Sequence, residues 1–210
     1  MAYIGNKPAN KAVVASDLDP AVITGQTALA VAPADTDEFL ISDAGTLKRI
    51  DASLVGGGGI TQADIFRLTA NITSNADITS NLERADDASS GLIGSGVSQS
   101  SGIFTFPETG IYLVIVQAHF FYNNQADNNG DLYSHATINN SDYDVIAVAT
   151  SGNGNQSGAI SNVSYSQALV DVTNTSNVKV KFSTSSLQGT VNGNTDYNMT
   201  SFSFIRLGDT

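Results

Sequence analysis

The stretch that decides the fold runs from Gly102 to Val114 and reads GIFTFPETGIYLV. Phe104 and Phe106 alternate with a threonine, which is the period of a half-buried strand. Pro107 then removes a backbone donor and forces a turn, and Gly110 closes that turn. The stretch therefore predicts a strand, a turn and a second strand within a β-sandwich.

The strand predicted to follow the turn runs from Ile111 to Phe121 and is apolar on both sides. Side chains of a strand point alternately to its two faces. One face carries Tyr112, Val114, Val116, Ala118 and Phe120, and the other carries Leu113, Ile115, Gln117, His119 and Phe121. Two apolar faces predict a central strand that is covered on both sides. The second cover is either the same subunit or another copy of the chain, and the sequence leaves both open.

The rest of the C-terminal part repeats short strand-like runs between turn-rich gaps, and the helical period is almost absent. The predicted strands span 65–71, 102–106, 111–121, 131–138, 144–149, 163–172, 178–183 and 201–207. In 178–182 the lysines share one face, which indicates either a solvated face or an edge protected by charge. The pattern predicts an all-β fold, a jelly roll or a related sandwich.

Composition divides the chain into three parts. Residues 56–63 begin with four glycines, which maximise backbone freedom, and we predict a Gly-rich linker there. The linker separates a head domain at 64–210 from an attachment segment at 1–55. That segment starts with an extended arm that is expected to order only against a partner. It continues with a predicted strand at 27–31 and a β-hairpin at 38–50.

The chain is strongly acidic, with a net charge of −11 and nine Lys and Arg residues in 210. It lacks the clustered cations that bind a phosphate backbone, which excludes nucleic acid as a partner. The absence of cysteine excludes disulfides and thiol metal sites. No apolar run approaches the ~20 residues that span a bilayer, and the start lacks a signal-peptide core. We therefore expect a soluble product of the cytoplasm without membrane insertion.

Two blocks resemble the C1q/TNF-like domain. The first is 104–112, FTFPETGIY, and the second is the closing run 201–207, SFSFIRL. The chain lacks the tryptophan that such domains often carry early, so core positions are not transferred one by one. The resemblance implies a C1q/TNF-like jelly roll and a homotrimer, with three heads packed side by side around a threefold axis.

The first quarter of the chain resembles the N-terminal part of tailed-phage fibre and appendage proteins. Residues 1–9, MAYIGNKPA, are similar to the start of such proteins, and 39–50 is similar to a hairpin found in them. This resemblance implies a virion protein made in the host cytoplasm, anchored to other virion proteins by its N-terminal part. The candidate attachment residues are Tyr3, Ile4, Pro8, Phe39 and Ile41.

Together the two resemblances imply a trimeric tail fibre, spike or similar appendage whose C1q-like head is exposed for host-surface binding. Two alternatives stay open, namely a capsid decoration or head-fibre protein and a stand-alone C1q-like recognition module. A hydrolase such as a depolymerase is disfavoured, because the chain is short for one and lacks a clustered carboxylate pair.

The sequence assigns no catalytic residue and predicts a protein that is not an enzyme. Ser134 and His135 are neighbours, but the Gly-x-Ser-x-Gly spacing of a nucleophile elbow is missing. Asp86 and Asp87 indicate a solvated loop and not an acid/base pair. We expect His119 and His135 to pack or hydrogen-bond within the sandwich or at the trimer axis.

No cofactor is expected, and calcium is the ion for which candidate ligands are present. Asp127, Asn129 and Asp131 alternate as oxygen ligands do in a calcium loop. Leu132 stands where an EF-hand needs glycine and Ile138 where it needs a bidentate glutamate, which excludes an EF-hand. The three residues are weak candidates, because the same pattern is also ordinary turn chemistry.

Receptor binding is predicted at the loops, since a jelly roll presents its recognition residues on loops held by a rigid scaffold. The predicted loops are 123–130, 151–158 and 185–195. Tyrosine combines an apolar ring with a polar tip, which suits a glycan or a protein on the host surface. The candidate receptor-binding residues are Tyr122, Asn124, Asn128, Asn153, Asn155, Asn192 and Tyr197.

Overall fold

The structure is a computed structural model that describes residues 21–25, 27, 29–31, 33–34, 36–55, 59–154 and 157–210. The predicted extended arm lies outside the described residues. The chain divides into two units, Met1–Gly58 and Gly59–Thr210. Our finer bounds of 1–55, 56–63 and 64–210 stay a prediction. Within the described part, no helix has the length and hydrophobicity that crossing a membrane requires.

The N-terminal unit contains the predicted hairpin. Strands β1 (Glu38–Asp43) and β2 (Thr46–Asp51) pair with each other in antiparallel register. Ala44 and Gly45 link them with φ angles of 48° and 82°, which is the geometry of a two-residue turn that follows the strand twist. A helical turn, α1 (Ala21–Thr24), precedes the hairpin, and a short 3-10 helix (Ala52–Leu54) follows it.

The strand predicted at 27–31 is wrong. The described residues of this stretch belong to no strand. A strand needs a hydrogen-bonded neighbour. Strands β1 and β2 form a two-stranded sheet with each other, and no described residue of 27–31 pairs with either of them.

The C-terminal unit is an antiparallel sandwich of two sheets. Its strands are β3 (Ala63–Leu68), β4 (Leu82–Arg84), β5 (Ser98–Ser100), β6 (Ile103–Thr105), β7 (Gly110–Asn123), β8 (Asp127–Thr137), β9 (Asp144–Asn153), β10 (Ala159–Val172), β11 (Lys179–Ser185), β12 (Thr190–Val191) and β13 (Ser201–Gly208). The six-stranded sheet has the order β10-β7-β13-β3-β4, with β12 also paired to β7. The five-stranded sheet has the order β5-β6-β11-β8-β9. This arrangement confirms the predicted all-β jelly-roll sandwich.

Every strand predicted in the head is present, with shifted ends. The sequence missed β4, β5 and β12, which are two or three residues long and too short to show a period. Strand β11 lies between β6 and β8 in its sheet, so the edge interpretation of its lysines is wrong.

The stretch that decides the fold joins the two sheets. Strand β6 belongs to the five-stranded sheet and β7 to the six-stranded one, so the turn between them carries the chain across the sandwich. Gly110 starts β7 at a φ of 142°, and a Cβ there would lie 2.5 Å from the carbonyl oxygen of Gly208. The predicted turn therefore requires glycine because backbone atoms approach it closely.

The core is a cluster of aromatic rings between the sheets. Phe104 of β6 is fully buried and packs edge-on against Phe66 of β3, with ring centroids 5.2 Å apart. Phe182 of β11 stacks on Phe202 of β13 at 4.2 Å. Residues from both sheets thus interdigitate in the middle layer, as the alternation in the deciding stretch predicts.

Strand β7 is central, as predicted, because β10 and β13 pair with its two edges. Its even-numbered side chains are fully buried against the other sheet, from Tyr112 to Tyr122. Its odd-numbered side chains from Ile111 to Phe121 stay partly accessible. The described residues of the head therefore cover the second face of β7 only in part.

Candidate functional site

The outer face of the six-stranded sheet is rich in apolar side chains, and we name this surface the apolar sheet face. It is formed by Ile65 of β3, Leu113, Ile115 and Phe121 of β7, Val163, Tyr165 and Leu169 of β10, and Ile205 of β13. Each residue alternates with a neighbour that points to the core, so strand period alone places them together.

Cross-strand register brings three apolar side chains together at one end of the apolar sheet face. Leu113 lies opposite Leu169 on one side and Ile205 on the other. Leu169 is 65% exposed and Val163 is 49% exposed, which are high values for side chains of this kind. Ile65 extends the face to β3, where it pairs with a serine of β13.

Polar side chains interrupt the apolar sheet face in its middle, namely Gln117 and His119 of β7, Gln167 of β10, and Ser201 and Ser203 of β13. Gln117 donates hydrogen bonds from Nε2 to the carbonyl oxygens of Asn198 and Met199, at 3.0 and 2.9 Å. Its Oε1 accepts a hydrogen bond of 3.0 Å from the hydroxyl of Tyr165. His119 lies one pair further along the strand, opposite Val163. Because Gln117 is already hydrogen-bonded within the chain, it adds little cost to burial of this face.

The boundary of this face at β3 contains a buried charge that the sequence did not reveal. Arg67 is 1% exposed, and its guanidinium binds Asp86 and Asp87 and lies near Glu83. Burial by itself lowers the pKa of Arg67, but the hydrogen bond and charge of Asp87 outweigh it and raise that pKa. Asp86 and Asp87, which the sequence predicts to lie in a solvated loop, form ion pairs with Arg67. This loop therefore has a structural role.

The candidate calcium ligands lie at the start of β8, and both carboxylates are buried. Asp127 accepts hydrogen bonds from the backbone nitrogens of Gln188 and Asn129, at 3.0 and 3.2 Å. Asp131 accepts one of 2.7 Å from the Thr150 hydroxyl and one of 3.1 Å from the Asn129 amide. Within the described ranges, no three His, Cys, Asp or Glu side chains are placed to hold a metal. Calcium binding at this turn stays a prediction. A calcium ion would have to compete for these carboxylate oxygens with the hydrogen-bond donors of the protein.

Two of the candidate receptor-binding residues are buried, because the strands that precede the loops are longer than predicted. Tyr122 is fully buried in β7, and Asn153 is 5% exposed at the end of β9, where its amide donates to the carbonyl oxygen of Gln125. Asn124, Asn128 and Tyr197 are exposed, and Asn192 is half-buried. Asn155 lies outside the described residues.

The predicted loops also shorten, because β8 starts at Asp127 and β9 ends at Asn153. The exposed candidates Asn124 and Asn128 therefore flank the start of a strand and do not sit within one long loop. As contacts for a receptor they stay predictions.

The serine next to His135 is not its partner. Ser134 is 2% exposed and points to the core. His135 points to the outer face of the five-stranded sheet, where its Nε2 lies 2.8 Å from the Ser183 hydroxyl. Sequence reasoning missed this pair because Ser183 lies in β11, far along the chain but beside β8 in the sheet.

The attachment candidates divide between the described and the undescribed parts of the chain. Tyr3, Ile4 and Pro8 lie outside the described residues. Phe39 and Ile41 are in β1, where they are 41% and 37% exposed. The hairpin therefore presents apolar side chains to its surroundings.

No protein-family profile matches the chain, and no curated protein matches its sequence significantly. Solved structures match its fold. The Eiger TNF structure from S. frugiperda superimposes with a TM-score of 0.55 at 13% identity, over 72% of this chain and 96% of that chain. The structure of murine APRIL at pH 5.0 superimposes with a TM-score of 0.52 at 11% identity, over 70% of this chain and 98% of that chain. The chain therefore contains a TNF-like jelly roll, as its C1q/TNF-like sequence blocks predicted.

Proposed function

We propose that the head assembles into a homotrimer through the apolar sheet face and serves as a structural and binding protein of a phage virion. The observation that carries the assembly is the apolar sheet face itself. A soluble monomer rarely exposes a large contiguous apolar patch, and such a patch marks an interaction site. Leu113, Leu169 and Ile205 lie side by side across three strands, so one flat surface is available to another copy.

The occupant of this face is a second copy of the chain and not a small ligand. A sheet face is flat, and a flat surface buries enough area only against another extended surface. Three copies follow from the resemblance to C1q/TNF-like domains, and three identical head-to-tail interfaces related by a threefold axis form a closed ring.

The virion role rests on the first quarter of the chain. Residues 1–9 and 39–50 resemble phage fibre and appendage proteins, and the hairpin displays apolar side chains that suit attachment to other virion proteins. In this proposal the N-terminal unit anchors the protein to the particle, and the head is exposed for host-surface binding. A capsid decoration protein and a stand-alone recognition module are the alternatives. Immunogold imaging of purified particles distinguishes them, because a tail position, a capsid position and no labelling are separate outcomes.

Assembly is tested by mass photometry of a matched pair of variants. Val163→Asp places a carboxylate on β10, an edge strand of the apolar sheet face, where Val163 is 49% exposed. We expect Val163→Asp to dissociate the trimer, with affinity reduced on the order of 100-fold, because burying a carboxylate in place of an apolar side chain costs about 3 kcal/mol.

The control is Val148→Asp on β9, an edge strand of the other sheet, where Val148 is 41% exposed. This variant should stay a trimer, because its strand belongs to the opposite outer face. A monomeric wild-type protein, or equal dissociation by both variants, contradicts the proposed assembly.

A further inference from the structure

The outer face of the five-stranded sheet contains a groove that the proposed assembly does not use. Two depressions, of about 240 Å³ and about 490 Å³, share Asp77 as a lining residue. The smaller is lined by Tyr143 and Lys181, and the larger by Tyr133, His135 and Ser183. We name them together the ring groove. The volume of the larger depression is in the range of about 300–1,000 Å³ in which proteins bind small ligands, and the smaller one extends it.

Sheet register brings the side chains of the ring groove together. Lys181 of β11 lies opposite His135 of β8, and Ser183 lies opposite Tyr133. Residues opposite each other on one face are near neighbours, so these four side chains form a compact floor. The Tyr133 and His135 rings are 6.1 Å apart between centroids and tilted by 49°.

A chain segment next to β11 forms the wall. Ile78 donates a hydrogen bond of 2.8 Å to the carbonyl oxygen of Phe182, and Thr184 donates one of 2.9 Å to that of Ala76. These bonds hold Asp77 beside β11, where its carboxylate binds the Lys181 ammonium at 2.8 Å. The wall is thus fixed by backbone bonds, and the groove exists before any ligand arrives.

The groove offers rings together with hydrogen-bonding groups. The Lys181 ammonium lies 4.8 Å from the centre of the Tyr143 ring. The hydroxyl of Tyr143 is buried and has no hydrogen-bond partner among the described residues.

Charge in the groove is balanced. Lys181 and Asp77 neutralise each other. Burial, and then the charge of Lys181, lower the pKa of His135, so its imidazole is neutral at physiological pH, although Asp77 opposes the shift. An anionic ligand meets one cation that is already paired, and a cationic ligand meets one carboxylate that is already paired. The groove therefore favours an uncharged ligand.

We propose that the ring groove binds a neutral oligosaccharide. A neutral sugar combines hydroxyls with flat C–H faces, and the groove combines Tyr133 and His135 rings with the hydroxyl of Ser183 and the paired charges of Lys181 and Asp77. Open, shallow depressions suit an extended chain of sugar units. This proposal names the class of ligand for the host-surface binding proposed above. It depends on the proposed virion role only in that the sugar would then come from the host surface.

The test is binding of defined sugars to the purified full chain. Isothermal titration calorimetry and saturation-transfer difference NMR would use maltohexaose, cellohexaose, chitohexaose and, as the anionic probe, 3′-sialyllactose. We expect at least one neutral sugar to bind and 3′-sialyllactose to bind more weakly. Ser183→Ala and Tyr133→Ala should each weaken the binding about 10-fold, the effect of a lost hydrogen bond or ring contact.

Three controls separate the possible outcomes. Tyr133→Phe keeps the ring and should lose less than about 3-fold in affinity. Ile138→Ala changes an exposed residue that lines neither depression and should not change the affinity. Val163→Asp should still bind sugar as a monomer, so failure of the assembly and failure of the groove are separate results. The proposal is overturned if no neutral sugar binds, or if 3′-sialyllactose binds more strongly than the neutral sugars. It is also overturned if peptide contaminants bind in place of sugar, or if Ser183→Ala and Tyr133→Ala leave sugar binding unchanged.

Discussion

The two outer faces of the sandwich differ although both sheets share one core. The six-stranded sheet exposes Leu169 and Val163 beside Leu113, whereas the five-stranded sheet exposes a floor of Lys181, Ser183 and aromatic rings at the same kind of position. In a strand, each outward position can change without altering the buried set. The buried residues therefore determine the fold. The outward residues determine which face can pack against another copy and which face is exposed to solvent or a ligand.

The largest expected effect comes from removal of the shared core. Phe104 contacts the rings of Phe66, Phe182 and Phe204 and is fully buried. Phe104→Ala should lower the free energy of unfolding by about 3–5 kcal/mol, because it leaves a cavity between the sheets. Chemical denaturation in the monomeric Val163→Asp background measures this loss. If Phe104→Ala cost no more than Val148→Ala, the aromatic cluster would not be the common support of both faces.

A smaller effect should be confined to the five-stranded face. Gly102 has a φ of 80°, and a Cβ there would lie 2.0 Å from the carbonyl oxygen of Ile78, in the wall of the ring groove. Gly102→Ala should cost about 1–3 kcal/mol more than Gly158→Ala, because a close contact adds to the conformational penalty. Gly158 has a φ of 89° and open space around its Cβ position.

Thermal unfolding of the two glycine variants gives the comparison, and NMR shifts of Asp77 and Ile78 report movement of the wall. Equal stability of the two variants would show that the backbone approach at Gly102 relaxes without cost. The apolar sheet face should keep its assembly in both variants.

The smallest expected effect is a pH dependence carried by His135, which faces Lys181, Asp77 and the Tyr133 ring. Its pKa is lower in the folded chain than in the unfolded chain, where it is about 6.5. As the pH falls below that value, the unfolded chain binds the proton first, so the fold loses stability with acid. The contribution of His135 is present above about pH 6.5.

Denaturant unfolding of wild type and His135→Gln between pH 7.5 and 5 isolates this contribution. Carboxylates titrate alike in both proteins, so the difference belongs to His135. Wild type should lose stability relative to His135→Gln by less than about 1.4 kcal/mol per pH unit, the limit for a single proton. A difference that does not change with pH, or that favours wild type in acid, contradicts the buried neutral imidazole.

Strand period predicted the core residues well and the strand ends poorly. The alternation in 111–121 placed Tyr112 and Phe120 on the buried face, as observed. The sequence ends this strand at Phe121, before an asparagine-rich run, and makes Tyr122 a receptor-binding candidate, yet β7 continues to Asn123 and the same alternation buries Tyr122. A prediction from composition ends the strand at the first polar residues. In the structure, hydrogen bonding to β10 extends β7 beyond that point.

The contacts that form the apolar sheet face and the ring groove could not be predicted from the sequence. Arg67 gave no signal, because its carboxylate partners lie near it only after β3 pairs with β4 and the following loop folds back. The pair of His135 and Ser183 depends on the register of β8 with β11, which no local pattern reports. The apolar character of Leu113 and Leu169 was visible in the sequence, but their adjacency required the pairing of β7 with β10.

The position of β13 has a consequence for how the head is made. This strand follows the other strands of the sandwich in sequence, yet it lies inside the six-stranded sheet, between β7 and β3. During synthesis, β3 and β7 leave the ribosome long before the strand that joins them, and their edges stay unpaired until it arrives. A nascent chain that stops before Ser201 lacks an interior strand, so only chains that reach the end of β13 can close the sandwich and enter an assembly.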